Sequence, residues 1–299
     1  MQIPHPLPYQ GSKRRIARKI LEFFPSGVER LVEPFAGSAA LTIAAAAYRK
    51  ASTFWINDID EALMRLWHQI VDNPLQIASA YESLWYAQQG REKEFYFRVR
   101  TQFNETRDPA LFLYLLARCV KASIRYNARG EFNQSPDNRR KGRHPKQMEK
   151  DIVAVSHLLK DRVKISCKDY KEILLQVNAM DLVYLDPPYQ GVCATGDPRY
   201  FRGVKFEDLV EALDYLNKKE IPFLLSYDGR SGDRVYGKAM PSFLGLRRVE
   251  INAGRSAQAT LLGRTAVTYE SLYLSPALMA KLSGETIYTM SQLSLNLET

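Results

Sequence analysis

Cysteine is scarce in this 299-residue chain: Cys119, Cys167 and Cys193 are the only three, with no CxxC pair and no histidine at metal spacing. That excludes a disulfide framework and a zinc site, and predicts reduced thiols in a reducing compartment. No bound metal is expected. Histidine is also sparse: His5, His68, His144 and His157 are scattered, so no Ser-His-Asp arrangement suggests itself, and Cys193 has no paired base to make it a nucleophile. Long apolar runs are absent, the longest (39–47 and 110–117) falling far below the roughly 20 residues of a membrane span. The opening MQIPHPLPYQ lacks the apolar stretch of a signal peptide. A cytoplasmic protein that does not meet the membrane is expected. Disorder, collagen and coiled coil are excluded by 45% hydrophobic and 25% charged residues.

Acidic residues are the minority: 42 Lys+Arg face 33 Asp+Glu, a formal +9. Residues 86–164 alone hold 18 Lys+Arg and 9 Asp+Glu, so this stretch carries the whole excess and the rest balances at 24 of each sign. A neutral body with one basic segment is the pattern of a surface that meets phosphate, or else of a solvated helical face.

The patterns along the chain predict an α/β protein with a doubly wound, mostly parallel sheet. A strand at 31–33, a Pro-Phe-Ala-Gly-Ser turn and an Ala-rich helix occupy 31–48. A second strand at 53–56 ends in Asn57-Asp58-Ile59-Asp60, short polar residues suited to capping the next helix. From 62 to 124 only helical patterns occur, followed by the turn-rich, basic GEFNQSPDNRRKGRHPK. Strand patterns resume at 163–166, 182–185 and 222–226, with a helix at 206–218, and two β-rich runs at 246–251 and 267–274 read as an antiparallel edge hairpin. The expected division is a discontinuous catalytic domain, 1–60 and 151–299, interrupted by a mainly helical domain, 61–150, whose basic hairpin spans 126–146.

Asp186-Pro187-Pro188-Tyr189 directly follows the apolar strand at 182–185, where ligands bind in open α/β sheets. At average composition such a tetrapeptide arises by chance in about one chain in a thousand of this size. It suits an aromatic amine, whose lone pair is delocalised into the ring. Acceptors for both N–H hydrogens, the Asp186 carboxylate and the Pro187 carbonyl, would draw that nitrogen toward tetrahedral geometry. Tyr189 offers a face for a planar base, worth about 1–3 kcal/mol. The turn Glu33-Pro34-Phe35-Ala36-Gly37-Ser38 has a single glycine and so lacks the GxGxxG that a pyrophosphate requires. Asp58, 21 residues beyond Gly37, is placed to accept from ribose hydroxyls. A nucleoside cofactor without pyrophosphate, S-adenosyl-L-methionine, fits both features.

With these motifs in this order, the chain resembles the Dam-type, alpha-class adenine-specific DNA methyltransferases over nearly its whole length. The resemblance implies a Rossmann-like methyltransferase fold, S-adenosyl-L-methionine as donor with S-adenosyl-L-homocysteine as product, and Asp186, Pro187, Pro188 and Tyr189 as the catalytic element. The element Pro8 to Lys13 is similar to the family's aromatic-x-Gly-x-Lys, which implies that Tyr9 and Lys13 touch the cofactor, Lys13 at its carboxylate. Glu33, Pro34, Phe35 and Gly37 match its cofactor loop and Asp58 its ribose acid; Cys167-Lys168-Asp169-Tyr170 resembles the motif whose acid contacts the adenine.

The basic segment falls where this family keeps its target-recognition domain. Arg125-Tyr126-Asn127-Ala128-Arg129-Gly130-Glu131-Phe132-Asn133 is similar to its RYNxxGxFN stretch, and the implied DNA contacts are Arg125, Asn127, Arg129 and Asn133 followed by Arg139, Arg140, Lys141 and Arg143. Arg118, Lys121 and Arg125 recur at i, i+3 and i+7, on one helical face that could follow a phosphate backbone. Residues 134–143 depart from the family's Pro-Phe-Gly-x-Tyr-Lys ending, so the target sequence, GATC included, stays open. The expected activity is methyl transfer to N6 of adenine in duplex DNA by base flipping and direct in-line displacement. The expected partners are duplex DNA and a cognate restriction endonuclease, and the expected solution state is a monomer. RNA methylation, methylation of a protein amide and a vestigial DNA-binding role remain alternatives.

Overall fold

A computed structural model describes residues 2–188, 204–231, 234–255 and 267–284. Tyr189 and Cys193 lie outside the described residues. A short helix α1 (Ala17–Ile20) leads into strand β1 (Val28–Glu33), helix α2 (Ala40–Ala47) and strand β2 (Ala51–Asn57). Four helices then interrupt the sheet: α3 (Glu61–Asp72), α4 (Pro74–Ala87), α5 (Glu92–Thr106) and α6 (Pro109–Arg118). Asp60 caps α3 by accepting from the Leu63 N–H at 3.2 Å, as its place after the strand leads one to expect. Helix α7 (Pro145–Leu159) returns the chain to the sheet at β3 (Val163–Ser166). The alternation then resumes with α8 (Tyr170–Leu174), β4 (Asp181–Leu185), α9 (Phe206–Lys218) and β5 (Phe223–Ser231). The short β6 (Arg234–Tyr236) pairs with β5, and β7 (Arg247–Arg255) and β8 (Val267–Leu274) complete the sheet.

The order is β3-β2-β1-β4-β5-β8-β7, parallel from β3 to β5 and antiparallel where β8 joins β5 and β7 joins β8. The doubly wound sheet with an antiparallel edge is thus as expected. Alternation along each strand sorts its side chains to opposite faces. Leu31, Phe54, Ile56, Leu182 and Tyr184 join one buried cluster with α1 to α7; Val32, Trp55, Val183 and Leu185 join the other with α8 and α9. The inserted helices therefore share a continuous core with one face of the sheet, and α7 runs across the expected boundary at 150.

Two expectations for the insert are corrected. The helix carrying Arg118 stops there: Cys119 is extended and Lys121 has φ +58°, so Arg118, Lys121 and Arg125 do not share a helical face. Arg118 is itself 2% exposed and donates to the Asp137 carbonyl, a buried brace rather than a phosphate contact. The hairpin is also shorter than 126–146. Its limbs meet at Tyr126 and Phe132 around a turn closed by Asn127 and Gly130, and the second limb then leaves to pair with Cys119 at Pro136. The Asp137 N–H donates to the Arg118 carbonyl, which draws the chain back onto the helices.

The strand order reverses between β1 and β4, so the loops after their carboxyl ends open a crevice at that switch point. Helix α3 braces one wall of it: the buried indole N–H of Trp67 donates to the Gly37 carbonyl at 2.9 Å. Trp67→Phe removes that donor and leaves a void where part of a fully buried indole sat. The two losses together should cost about 2–4 kcal/mol in denaturant unfolding, with weaker nucleoside affinity by calorimetry and unchanged affinity for duplex DNA.

Candidate active site

The loop after β1 is the first wall. Its Glu33 carboxylate accepts from the Thr42 backbone N–H at 2.7 Å, in the first turn of α2. Helix α2 has Ala39 at its N-cap and so no side-chain cap of its own; Glu33 fills that place from the neighbouring strand. Gly37 adopts φ +50°, and a Cβ there would come within 3.0 Å of the Tyr9 ring. Any side chain there would crowd that ring and strain the backbone, so glycine suits the close approach of the N-terminal segment to this loop.

The end of β2 is tied to both neighbours by the fully buried Asn57. Its amide donates to the Pro34 and Lys168 carbonyls, and its oxygen accepts from the Lys168 N–H and the Ser166 hydroxyl. One side chain thus fixes the loops after β1, β2 and β3 relative to one another. Asp58 accepts from the Gly37 N–H at 3.0 Å and from the Asp60 N–H at 3.1 Å. Asp169 caps α8 through the Lys171 N–H, and the Tyr170 ring lies 4.9 Å from that of Phe35.

Asp186 follows β4. Its Oδ1 accepts from the Lys13 ammonium at 2.7 Å, and the Glu270 carboxylate on β8 lies 3.6 Å from the same nitrogen. Tyr9, Lys13, Glu33, Pro34, Phe35, Gly37, Asp58, Asp169, Tyr170, Asp186, Pro187 and Pro188 all line one cavity of about 610 Å³, a size suited to a nucleoside-sized ligand. The structure therefore brings together every described residue expected at the cofactor and catalytic positions. What differs is Lys13: expected at a cofactor carboxylate, it is ion-paired here with Asp186.

Burial dominates the electrostatics. It pushes the Glu33 carboxyl up to about 8, against the pull of the Thr42 N–H. Burial, then the Asp60 charge, raises Asp58 to about 6. Burial alone would lower the Lys13 ammonium, but Asp186 and Glu270 outweigh it and hold its value well above the ordinary one. A cation bound beside these carboxyl groups would in turn favour their ionised forms.

Three residues at or beside this site were not singled out by sequence reasoning. Asn57 sits in the noted Asn-Asp-Ile-Asp run but reads there as a cap. Tyr126 lies inside the RYNxxGxFN stretch; its hydroxyl donates to Asp60 at 2.9 Å, so the hairpin touches the wall of the cavity. Glu270 carried no local signal, because only the pairing of β8 with β5 brings it to Lys13.

The basic candidates divide. Arg139 and Arg140 are 83% and 69% exposed and lean on the Asp137 carboxylate, and exposed Lys141 pairs with Glu92. Arg129 is exposed at the hairpin turn, paired with Glu131, and Asn133 is exposed on the second limb. Asn127 closes the turn, its oxygen accepting from the Arg129 and Glu131 N–H groups, and Lys121 is exposed while Arg125 is half-buried. Arg143 is a brace: its guanidinium donates to the His5 carbonyl and to the Asp151 carboxylate.

Fold and cavity together define a Rossmann-like sheet with a ligand-sized crevice at its switch point. The chain belongs to the D12 class N6 adenine-specific DNA methyltransferases, whose family pattern matches residues 9–250. It is an enzyme of adenine methylation in DNA. It is 28% identical over 282 residues to the Type II methyltransferase M.MjaIII of Methanocaldococcus jannaschii, covering 83% of this chain and 96% of that one. It is 27% identical over 262 residues to the retron Ec67 DNA adenine methylase of Escherichia coli, covering 85% and 88%. The DNA adenine methylase of Escherichia coli K12 is 27% identical over 229 residues, covering 74% and 79%.

The raised Glu33 carboxyl gives a pH test. Between its ordinary value near 4.5 and its folded value of about 8, the folded chain keeps a proton that the unfolded chain has lost. Stability of the ligand-free enzyme therefore falls as pH rises through that window. Glu33→Gln keeps an acceptor for the Thr42 N–H and cannot ionise. Its Tm should match the wild type near pH 5 and exceed it at pH 8; parallel Tm curves would contradict the assignment.

Proposed function

We infer that the enzyme methylates a flipped-out adenine with S-adenosyl-L-methionine as donor, and that the residues lining the 610 Å³ cavity carry the two halves of the site. The observation that carries this reading is Asp186, at the end of β4, facing the same cavity as the Gly37 loop and Asp58. The donor supplies a methyl group on a sulfonium. Tyr9, Glu33 to Gly37, Asp58, Asp169 and Tyr170 would hold its nucleoside and amino-acid portions, with the buried carboxyl groups complementing its positive charge.

In the duplex the N6 amine is out of reach of a crevice at a sheet edge, so the base leaves the stack at a cost of a few kcal/mol. Tyr189 then stacks on it. Asp186 and the Pro187 carbonyl accept its two N–H hydrogens and localise the lone pair on nitrogen. Lys13, at 2.7 Å, pairs with the Asp186 carboxylate and orients it. Transfer is a direct in-line displacement: the N–C bond forms as the S–C bond breaks, and the amine sheds its proton afterwards. No covalent enzyme intermediate and no strong general base are required.

DNA is held by the inserted segment, 61–150, through the hairpin and the exposed Arg139, Arg140 and Lys141. The name of the Methanocaldococcus jannaschii relative, a Type II methyltransferase, is the ground for proposing a cognate endonuclease here.

Asp186→Ala should reduce methylation of duplex DNA with tritiated donor by at least a thousandfold; near-normal activity would refute the mechanism. The double variant Arg139→Ala, Arg140→Ala should weaken duplex binding and reduce the slope of log K against log salt by about 2, leaving donor affinity intact. Loss of donor affinity instead would reject the two-part organisation.

A further inference from the structure

One face of α5 is laid along the recognition segment. Tyr96, Arg100, Asn104 and Arg107, spaced by four, four and three residues, fall on the same side of the helix. Each donates to backbone carbonyls of the second hairpin limb, in matching order. Arg107 reaches the Gly130 carbonyl at 2.6 Å and Asn104 the Phe132 carbonyl at 3.1 Å. Arg100 reaches the Asn133 and Gln134 carbonyls, both at 3.3 Å, and Tyr96 that of Gln134 at 3.0 Å. Asn104 also accepts from the Phe132 N–H at 2.7 Å. Its amide satisfies both backbone groups of one residue, as a neighbouring β-strand would.

The same limb shows the alternation of a strand. Phe132, Gln134 and Pro136 are buried, whereas Asn133 and Ser135 are exposed. Phe132 anchors it edge-on against Phe103 and Phe112, which stack 4.9 Å apart. The first limb holds the other edge: the Asn133 N–H donates to the Arg125 carbonyl at 3.0 Å. The limb is thus a fixed ribbon whose inward edge belongs to α5 and whose outward side chains are polar.

Extended backbone rises about 3.3–3.4 Å per residue, which matches the 3.4 Å spacing of bases along one DNA strand, and the major groove admits a two-stranded ribbon. A slip of one residue would move each outward side chain by about one base step and turn it to the other face. Register is therefore the quantity on which base reading depends. Aromatic packing of Phe132 alone does not fix it to this precision, whereas directional hydrogen bonds to successive carbonyls do.

We propose that the α5 row, Tyr96, Arg100, Asn104 and Arg107, sets the sequence selectivity of methylation by locking the register of the limb at 130–134. These are positioning residues: they act through Asn133 and Ser135, the outward-facing side chains. The inference rests on the reading of the hairpin as DNA-contacting and names what gives that contact its specificity.

Asn104→Leu is nearly isosteric and removes both bonds to Phe132. Expressed in a methylation-free host, the wild type should modify one sequence context by modified-base sequencing. The variant should spread to contexts differing by one base, its preference for the original falling about tenfold. KM for duplex should rise severalfold, with kcat at saturating DNA and calorimetric donor affinity within twofold of wild type, a split that general loosening of the fold would not give. If Asn104→Leu does not accumulate as folded protein, Arg100→Met, which keeps the apolar stem of a partly exposed side chain, should show the same broadening to a lesser extent. A folded variant with unchanged contexts and unchanged KM overturns the proposal. Arg129→Ala and Asn133→Ala separate the two levels: if neither alters duplex KM or its salt dependence, the DNA-contacting reading itself fails. If they do and the α5 variants do not, only the role of α5 is rejected.

Discussion

The ion pair of buried Lys13 with half-buried Asp186, spanning 173 residues of sequence, is the interaction on which the site depends. An ammonium 2.7 Å away holds that carboxylate in one orientation through a charge-assisted hydrogen bond. It is there because the N-terminal segment folds over the Gly37 loop. That closure needs the missing Cβ of Gly37, the Trp67 bond behind the loop and the Asn57 knot that aligns three strand ends. Helix α3 supplies Trp67, so the first inserted helix also serves the catalytic crevice.

The same economy runs through the recognition side. Tyr126 reaches Asp60, which lines the cavity beside Asp58, and the opposite limb of its hairpin is bound to α5. The hairpin is thereby connected to both the helical layer and the cavity wall. Many basic residues of this region are structural: Arg100, Arg107, Arg118 and Arg143 each satisfy buried or half-buried backbone carbonyls. The exposed basic side chains nearest the hairpin are Lys121, Arg129, Arg139, Arg140 and Lys141. Net charge marked the segment without distinguishing its braces from its exposed charges.

Much of the fold was legible because it is written at short range. Strand ends fell within three residues of expectation for β1 to β4, β5 ran five residues past its expected end, and α9 matched its pattern at both ends, since the alternation of apolar residues reports directly on burial. The Asp58 and Asp186 positions were legible for a related reason: each directly follows an apolar strand, where the sheet leaves its loops open to ligand. The helical face through Arg118 and Arg125 failed because periodicity was extended past the end of a helix, where Lys121 takes a positive φ that no local pattern announced.

By itself the sequence determined the chemistry available: a carboxylate and a prolyl carbonyl at one strand end, a single-glycine loop and an acid at two others, and a basic segment between them. Which of those groups meet was decided by tertiary structure. Glu270 joins Lys13 through strand pairing, Asn57 joins three loops, and α5 sets the register of the hairpin across about thirty residues of chain. The physical reason is one of range. Burial and backbone preference act within a few residues and leave a pattern, whereas hydrogen bonds and ion pairs between distant segments exist only once packing has brought them within 3 to 4 Å.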